Sequence, residues 1–152
     1  MALPTHLRLE IVTPDRHVVH DEVDEVEIPG SEGYFGVLPG HTPMLAALSV
    51  GELWYRKGQE KEFLSIAFGF AEVLPDRVTI LAQLAERAAE IDRERAEEAK
   101  RRAEQRLAGT SPTADYMMAR ASLMKALTRL QVSSHIPLSG RVGRPPRMPN
   151  AQ

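Results

Sequence analysis

The sequence contains no cysteine among its 152 residues. This absence excludes a disulfide framework, thiolate zinc sites, iron–sulfur clusters and a cysteine nucleophile. No apolar run approaches the roughly 18 residues that a transmembrane helix needs. The first residues also lack the basic and apolar regions of a secretory signal. We therefore expect a soluble intracellular protein.

Charge of neither sign dominates, because 19 Lys and Arg stand against 21 Asp and Glu, for a formal net charge of −2. A chain without an overall basic field has no electrostatic basis for holding nucleic acid, so no such partner is expected. The charge is nevertheless unevenly distributed. Residues 1–85 carry a net charge of −7, residues 86–107 are balanced, and the remainder is basic. These shifts place boundaries near residues 86 and 133.

Residues 1–85 are predicted to form a domain of short consecutive β-strands. Leu7, Leu9 and Ile11 alternate with polar residues, which is the period of a strand with one buried face. Turn signals recur about every ten residues, and those around Gly58 and Pro75 separate pairs of strands as hairpins. This spacing favours an antiparallel β-sandwich over parallel βαβ units.

Residues 86–132 are predicted to form an antiparallel helical hairpin. Glu86 to Leu107 is rich in Ala, Glu and Arg and lacks Gly and Pro, which favours one helix. A short linker around Pro112 precedes a second helix from Asp115 to Val132, so the two helices pack antiparallel. The apolar side of the second helix is expected to comprise Tyr116, Met117, Leu123, Met124, Leu127 and Leu130.

The expected seam between these helices is weak. Alanines recur at helical spacing along the first helix, and a buried alanine methyl contributes much less to stability than a buried leucine. The hairpin is therefore predicted to be a mobile element. The Arg- and Pro-rich residues 133–152 are predicted to be a disordered tail. The predicted stripe of small residues on the first helix comprises Ala85, Ala88, Ala89, Ala96, Ala99, Ala103 and, at its end, Leu107.

Residues 30–43 contain four Gly and two Pro. Two interpretations are open: a structural Ω-type loop, or a rigid recognition loop that binds a partner. The glycine spacing matches neither common phosphate-binding pattern. No nucleophile–base arrangement is visible, and the five histidines are read as structural or solvent-facing side chains. No catalytic site and no metal site are predicted.

A second cluster of interest lies on the predicted helices. If the helices fold together, Arg95 near the start of one can converge with Lys125 and Arg129 of the other on an anion such as a phosphate. The alternative is a solvated, salt-bridged face.

Four segments of the chain carry a family resemblance. They are the G-S-E-G…G-V-L-P-G-H-T-P loop of residues 30–43, V-T-I-L-A at 78–82, I-D-x-x-R-A at 91–96 and R-L-Q-V at 129–132. In this order they closely resemble the epsilon subunit of the F-type ATP synthase, over about residues 5–132. The resemblance implies a β-sandwich followed by a helical hairpin, and a non-catalytic rotor subunit of the central stalk.

The resemblance also implies partners and a location. The sandwich is expected to bind the gamma subunit and the c ring, and so to link ring rotation to the catalytic head. The hairpin is expected to lie folded on the sandwich or to extend toward the alpha/beta head, where it inhibits ATP hydrolysis in bacterial members. The implied location is the cytoplasmic side of the bacterial plasma membrane, peripheral and through the complex alone.

Site residues follow from the resemblance by position. The residues expected to face the c ring and gamma are Ser31, Glu32, Gly33, Tyr34 and His41. Members that bind ATP in the folded hairpin do so through positions matched here by Glu86, Ile91, Asp92, Arg95, Ala96, Lys125 and Arg129. Such members carry two Arg on the second helix, whereas Lys125 lacks the guanidinium fork. Family members often have an acidic or polar residue at the place of Tyr34.

The resemblance implies no required cofactor, and ATP only as a regulatory ligand. Two other classes of protein stay open: a stand-alone adaptor that binds a protein through the Gly-rich loop, and a small enzyme with a sandwich core.

Overall fold

The computed structural model describes residues 2–109 and 114–136. Within them the chain forms seven strands, a 3₁₀ turn and two helices. The strands are β1 (Leu7–Val12), β2 (His17–Val23), β3 (Glu25–Gly30), β4 (Gly33–Val37), β5 (Met44–Lys57), β6 (Glu60–Leu74) and β7 (Arg77–Arg87). The 3₁₀ turn (Ala88–Glu90), α1 (Arg93–Ala108) and α2 (Ala114–Ser133) follow.

The strands form one sheet in the order β2-β1-β7-β6-β5-β3-β4. The sheet closes over itself, since β2 at one edge also contacts β5 without pairing with it. The predicted β-sandwich is confirmed. It is not wholly antiparallel, because β1 and β7 pair in parallel. A parallel pair needs a long crossover, and the intervening strands of the sandwich supply it.

The core between the layers is aliphatic, and its largest side chains are completely buried. The predicted alternation in β1 is confirmed, since Leu7, Leu9 and Ile11 are each 0% exposed. The two predicted hairpins are also present, with turns at residues 58–59 and 75–76. The remaining fully buried large side chains are Val19, Val23, Val26, Ile28, Val37, Leu53, Leu64, Ile66 and Ile80.

The Gly-rich segment begins as a hairpin, so the Ω-loop interpretation is wrong. Gly30 pairs with Gly33, which leaves Ser31 and Glu32 as a two-residue turn between β3 and β4. Strand pairing satisfies the backbone groups here, and Gly33, the first residue after the turn, has a φ of +126° that favours glycine. Only residues 38–43 continue as an irregular loop.

β6 has a break at Phe68 and Gly69, where Phe68 is unpaired although the register with β5 and β7 is the same on both sides. The two halves of β6 have opposite alternation. Before the break Leu64 and Ile66 face the core, whereas after it Ala71 and Val73 do so. Both residues have a positive φ, +58° for Phe68 and +133° for Gly69. The outer face of the sheet is therefore divided into two zones. One lies beneath α2, and the other carries the outward side chains of the half of β6 after Gly69.

The first helix begins later than predicted. β7 continues to Arg87, and Ala85 faces the sheet core opposite Ile66 with 6% exposure. Strand pairing thus overrides the helix propensity of the sequence after residue 85. α1 begins at Arg93, after Asp92 caps it by accepting a hydrogen bond from the Arg95 N–H at 3.2 Å.

The two helices pack against each other through small residues. Ala96 and Ala103 of α1 are buried, as predicted, and so are Ala119 and Ala126 of α2. The predicted apolar side of α2 is wrong for three of its six members, which are exposed, whereas Tyr116, Leu123 and Leu130 are half-buried. Small side chains let the two helix backbones approach closely. The exposed members are Met117 (64%), Met124 (43%) and Leu127 (44%).

The end of α2 is also structured, against the prediction of disorder from residue 133. Ser133 completes α2 and is buried, and residues 134–136 form a turn against the sandwich. The linker at 110–113 and the rest of the predicted tail, 137–152, lie outside the described residues. Among the helices of residues 2–109 and 114–136, none has the length and apolar character needed to cross a membrane.

Candidate functional site

Three large apolar side chains lie exposed on neighbouring strands, and we call them the apolar patch: Leu45, Phe70 and Leu81. They are 76%, 64% and 56% exposed. Phe70 on β6 is directly opposite Leu81 on β7 and Ala47 on β5. The patch occupies the zone of the outer face that the break at Gly69 separates from α2. An exposed apolar cluster of this kind is typical of a protein-binding surface.

The β3–β4 turn lies beside this patch. The Ser31 N–H donates to the carbonyl oxygen of Ala47, the residue opposite Phe70, at 2.8 Å. Ser31, Glu32 and Gly33 are exposed. The exposed turn is therefore adjacent to the apolar patch, and its expected role in partner binding stays a prediction.

Tyr34 and His41, which are also predicted to face the c ring and gamma, lie outside the turn, in β4 and in the loop after it. Tyr34 is 58% exposed but its ring lies over Gly51, and its hydroxyl accepts a hydrogen bond from the Glu52 N–H at 3.2 Å. His41 is half-buried on the loop after β4, with Nδ1 2.7 Å from the Thr42 carbonyl oxygen. This loop contacts the β6–β7 turn, where the Gly40 N–H donates to the Pro75 carbonyl oxygen.

The apolar patch was missed by the sequence reasoning. A signal was present: Phe70 alternates with Ala71 and Val73, so an aromatic residue occupies the face that is polar in most half-buried strands. The opposing position of Leu81 depends on the register of the β6–β7 hairpin, which the Pro75 turn sets.

A cavity of about 310 Å³ lies between the 3₁₀ turn, the start of α1 and α2. Its volume is at the lower end of the range for small-molecule sites, about 300–1,000 Å³. All the residues predicted to bind ATP line it except Lys125, and Glu90 joins them. The lining residues are Glu86, Glu90, Ile91, Asp92, Arg95, Ala96 and Arg129.

Two of the three carboxylates of this cavity, those of Glu86 and Glu90, are already paired with arginines. Arg129 donates from Nε to Glu86 at 2.8 Å and makes a second, shorter bond to the same oxygen from its NH2 group. Arg16 reaches from the β1–β2 turn to Glu90 with two bonds of 2.9 and 2.6 Å. Within the described part of the chain, Arg95 is the lining cation that has no ion pair. It projects beside the N-terminus of α1, where backbone N–H groups favour an anion.

Lys125 is not brought into the cavity. Its Nζ lies 5.5 Å from the centroid of the Phe68 ring, a cation–π contact between α2 and the break in β6. The predicted convergence of Arg95, Lys125 and Arg129 is therefore incomplete, because Lys125 faces the sheet.

The Arg16–Glu90 pair predicts a pH dependence of stability. Hydrogen bonding from the Arg16 guanidinium lowers the pKa of Glu90 below its ordinary 4.5. A lowered folded-state pKa stabilises the protein above the ordinary value, and this contribution is lost as the pH falls through the folded-state pKa. The melting temperature of the wild type should therefore fall relative to Glu90→Gln between pH 6 and pH 3.

The expected effect is small, since the side chains of Arg16 and Glu90 are 48% and 36% exposed and solvent screens them. Glu60→Gln, at an exposed position beside the β5–β6 turn, is the control. Parallel melting curves for the wild type and Glu90→Gln across this pH range contradict the prediction.

Fold and surface together favour a protein-binding chain: a β-sandwich with an exposed apolar patch and a helical hairpin docked beside it. Two family models match in succession. Residues 6–88 match the β-sandwich domain of the ATP synthase delta/epsilon chain, and residues 89–134 match its long α-helix domain.

Curated relatives agree with the family models. The ATP synthase epsilon chain of Syntrophobacter fumaroxidans is 53% identical over 127 residues, which cover 84% of this chain and 95% of the relative. The ATP synthase epsilon chain of Koribacter versatilis is 57% identical over 103 residues, which cover 68% of this chain and 72% of the relative. The chain belongs to the ATP synthase delta/epsilon family and is a non-catalytic subunit of the epsilon type. This membership confirms the resemblance read from the four sequence segments and disfavours both the adaptor and the small enzyme.

Solved structures show the same fold within ATP synthase assemblies. A chain of the Euglena gracilis mitochondrial ATP synthase, in an OSCP/F1/c-ring assembly, has a TM-score of 0.77 at 25% identity, covering 89% of this chain and 85% of that one. A chain of the Tetrahymena thermophila central stalk and c ring has a TM-score of 0.56 at 15% identity, covering 87% and 99%. The second likeness concerns the fold alone.

Proposed function

We propose that the sandwich binds the gamma subunit and the c ring through the apolar patch and the adjacent β3–β4 turn, and so links ring rotation to the catalytic head. The observation that carries this proposal is the exposure of Leu45, Phe70 and Leu81 on adjacent strands. Buried on a partner, large apolar and aromatic side chains are the typical anchors of an interface. The exposed polar turn beside them supplies a rim.

Complex formation by the full chain tests this function. The chain is mixed with a subcomplex of gamma subunit and c ring, and the mass of the product is measured by size-exclusion chromatography with light scattering. We expect a stoichiometric complex. A folded chain that elutes alone in this mixture contradicts the proposal.

The hairpin is assigned a regulatory role. We propose that it leaves the sandwich and extends toward the alpha/beta head, where it inhibits ATP hydrolysis. The seam of Ala96, Ala103, Ala119 and Ala126 supports this proposal, because small side chains hold the helices together without a large apolar core. In this arrangement the subunit is peripheral, on the cytoplasmic side of a bacterial plasma membrane, and associates with it through the complex.

Regulatory ATP is proposed to bind in the cavity beside α1. Its polyphosphate would meet Arg95 and the N-terminal N–H groups of α1, and would compete with Glu86 for Arg129. The fit of six predicted residues around one cavity supports this site. The pairing of Arg129 with Glu86 and the distant placement of Lys125 predict weak binding.

Isothermal titration of ATP into the full chain tests this site. Arg95→Ala should weaken binding at least about tenfold, since a charge-assisted hydrogen bond is worth about 1.5–3 kcal/mol. Arg101→Ala is the matched control, because Arg101 lies on the same helix outside the cavity. Absence of binding heat in the wild type, or equal loss in the two variants, contradicts the assignment.

A further inference from the structure

The turn that follows α2 makes two specific contacts with the sandwich, both through His135. Its imidazole stacks on the Phe63 ring of β6, with centroids 3.6 Å apart and ring planes inclined by 7°. Its Nε2 lies 2.8 Å from Oε2 of Glu52 on β5. One side chain at the end of the hairpin thus contacts two neighbouring strands.

The receiving side chains on the sheet are held in place. The Glu52 side chain is only 13% exposed, and its backbone N–H donates to the Tyr34 hydroxyl. Phe63 is half-buried and lies directly opposite Trp54 on β5. His135 therefore meets a preformed site, so little order has to be created when the turn docks.

Two further contacts between the hairpin and the sandwich are made by cationic side chains of α2. Arg129 pairs with Glu86, which precedes the hairpin, and Lys125 lies 5.5 Å from the Phe68 ring. Inside the hairpin, Arg93 of α1 donates to the Ser133 hydroxyl at 3.3 Å, which ties the start of α1 to the end of α2. The contact of His135 therefore restrains the end of α2 directly and the start of α1 through Arg93.

We propose that His135, stacked on Phe63 and hydrogen-bonded to Glu52, is a latch that holds the helical hairpin in its docked position. The contact does not depend on one protonation state, since Nε2 carries a donor proton both in the imidazolium and in one neutral tautomer. The latch acts on docking of the hairpin in the isolated chain. Its test therefore does not depend on the proposed binding to the stalk or to ATP.

Spin-label distances test the latch in the full chain. Because the sequence has no cysteine, labels at Gln59→Cys on the sandwich and Gln105→Cys on α1 report one distance for the docked hairpin and a broad set for the detached one. His135→Ala should raise the detached-to-docked ratio about three- to tenfold, the range expected for loss of a stacked, hydrogen-bonded ring. His135→Phe, which keeps the stacking, should give a smaller increase.

A matched control comes from another histidine–carboxylate pair. His20 lies 3.0 Å from Glu10, on strands β2 and β1 away from the hairpin. His20→Ala should leave the ratio unchanged. Where detachment is too rare for spin labels, amide hydrogen exchange in α2 measures it, because a helix released from its packing is only marginally stable. Equal ratios and equal exchange rates in His135→Ala and His20→Ala overturn the latch.

Discussion

Replacing Phe70 with Asp is expected to weaken binding to a subcomplex of gamma subunit and c ring by at least about thirtyfold, the loss typical of an interface hot spot. Phe70 is 64% exposed and stands between Ala47 and Leu81 in the middle of the apolar patch. The substitution removes an apolar anchor and places an unpaired carboxylate where the partner would exclude water. The affinity is measured by titration with the purified subcomplex.

Met117→Asp is the matched control for this experiment. Met117 is also 64% exposed, but it lies on α2 and not on the patch. Both variants should have the circular dichroism spectrum of the wild type, because neither side chain belongs to the core. If Phe70→Asp binds the subcomplex as tightly as Met117→Asp does, the patch is not the docking surface.

Replacing Gly69 with Ala is expected to lower the free energy of unfolding by about 3–5 kcal/mol, from backbone strain together with overpacking. A Cβ at this position would lie 1.9 Å from the Leu81 carbonyl oxygen and 2.9 Å from Cα of Ala82. Those atoms belong to the β7 backbone, which cannot move without breaking the β6–β7 pairing. The φ of +133° also disfavours any residue but glycine.

Gly36→Ala provides the comparison. Gly36 lies in β4, and no heavy atom approaches within 4 Å of the position its Cβ would take. Its stability to urea should equal or slightly exceed that of the wild type, since alanine reduces the entropy of the unfolded chain. Equal urea midpoints for Gly69→Ala and Gly36→Ala contradict the requirement for glycine at position 69.

Much of the sandwich was predictable from local patterns. Leu7, Leu9 and Ile11 have one buried face, and their alternation records it directly. The predictions that are wrong concern segments whose structure depends on contacts with residues distant in sequence. The sequence around Glu86 favours a helix, yet Glu86 lies in β7 opposite Ser65. Likewise, α2 buries Ala119 and Ala126 while it exposes Met117, because the facing helix presents alanines.

The candidate sites were likewise predictable only in part. Asp92, Arg95 and Ala96 share one helical turn, so their clustering follows from the I-D-x-x-R-A spacing. The position of Lys125 depends on how α2 lies across β6, which no local pattern encodes. The alternation of Phe70 with Ala71 and Val73 is visible in the sequence, but the break at Gly69 that reverses the alternation of β6 is not.

The central claim is that the hairpin must leave the sandwich to inhibit ATP hydrolysis. Its most direct test is the hydrolysis rate of ATP synthase assembled with a chain whose Glu52→Cys and His135→Cys side chains are joined by a short bismaleimide, a unique crosslink because the natural sequence has no cysteine. The account predicts normal assembly and full loss of inhibition, whereas the same chain without the crosslink inhibits at least as strongly as the wild type. Undiminished inhibition by the crosslinked chain contradicts the account.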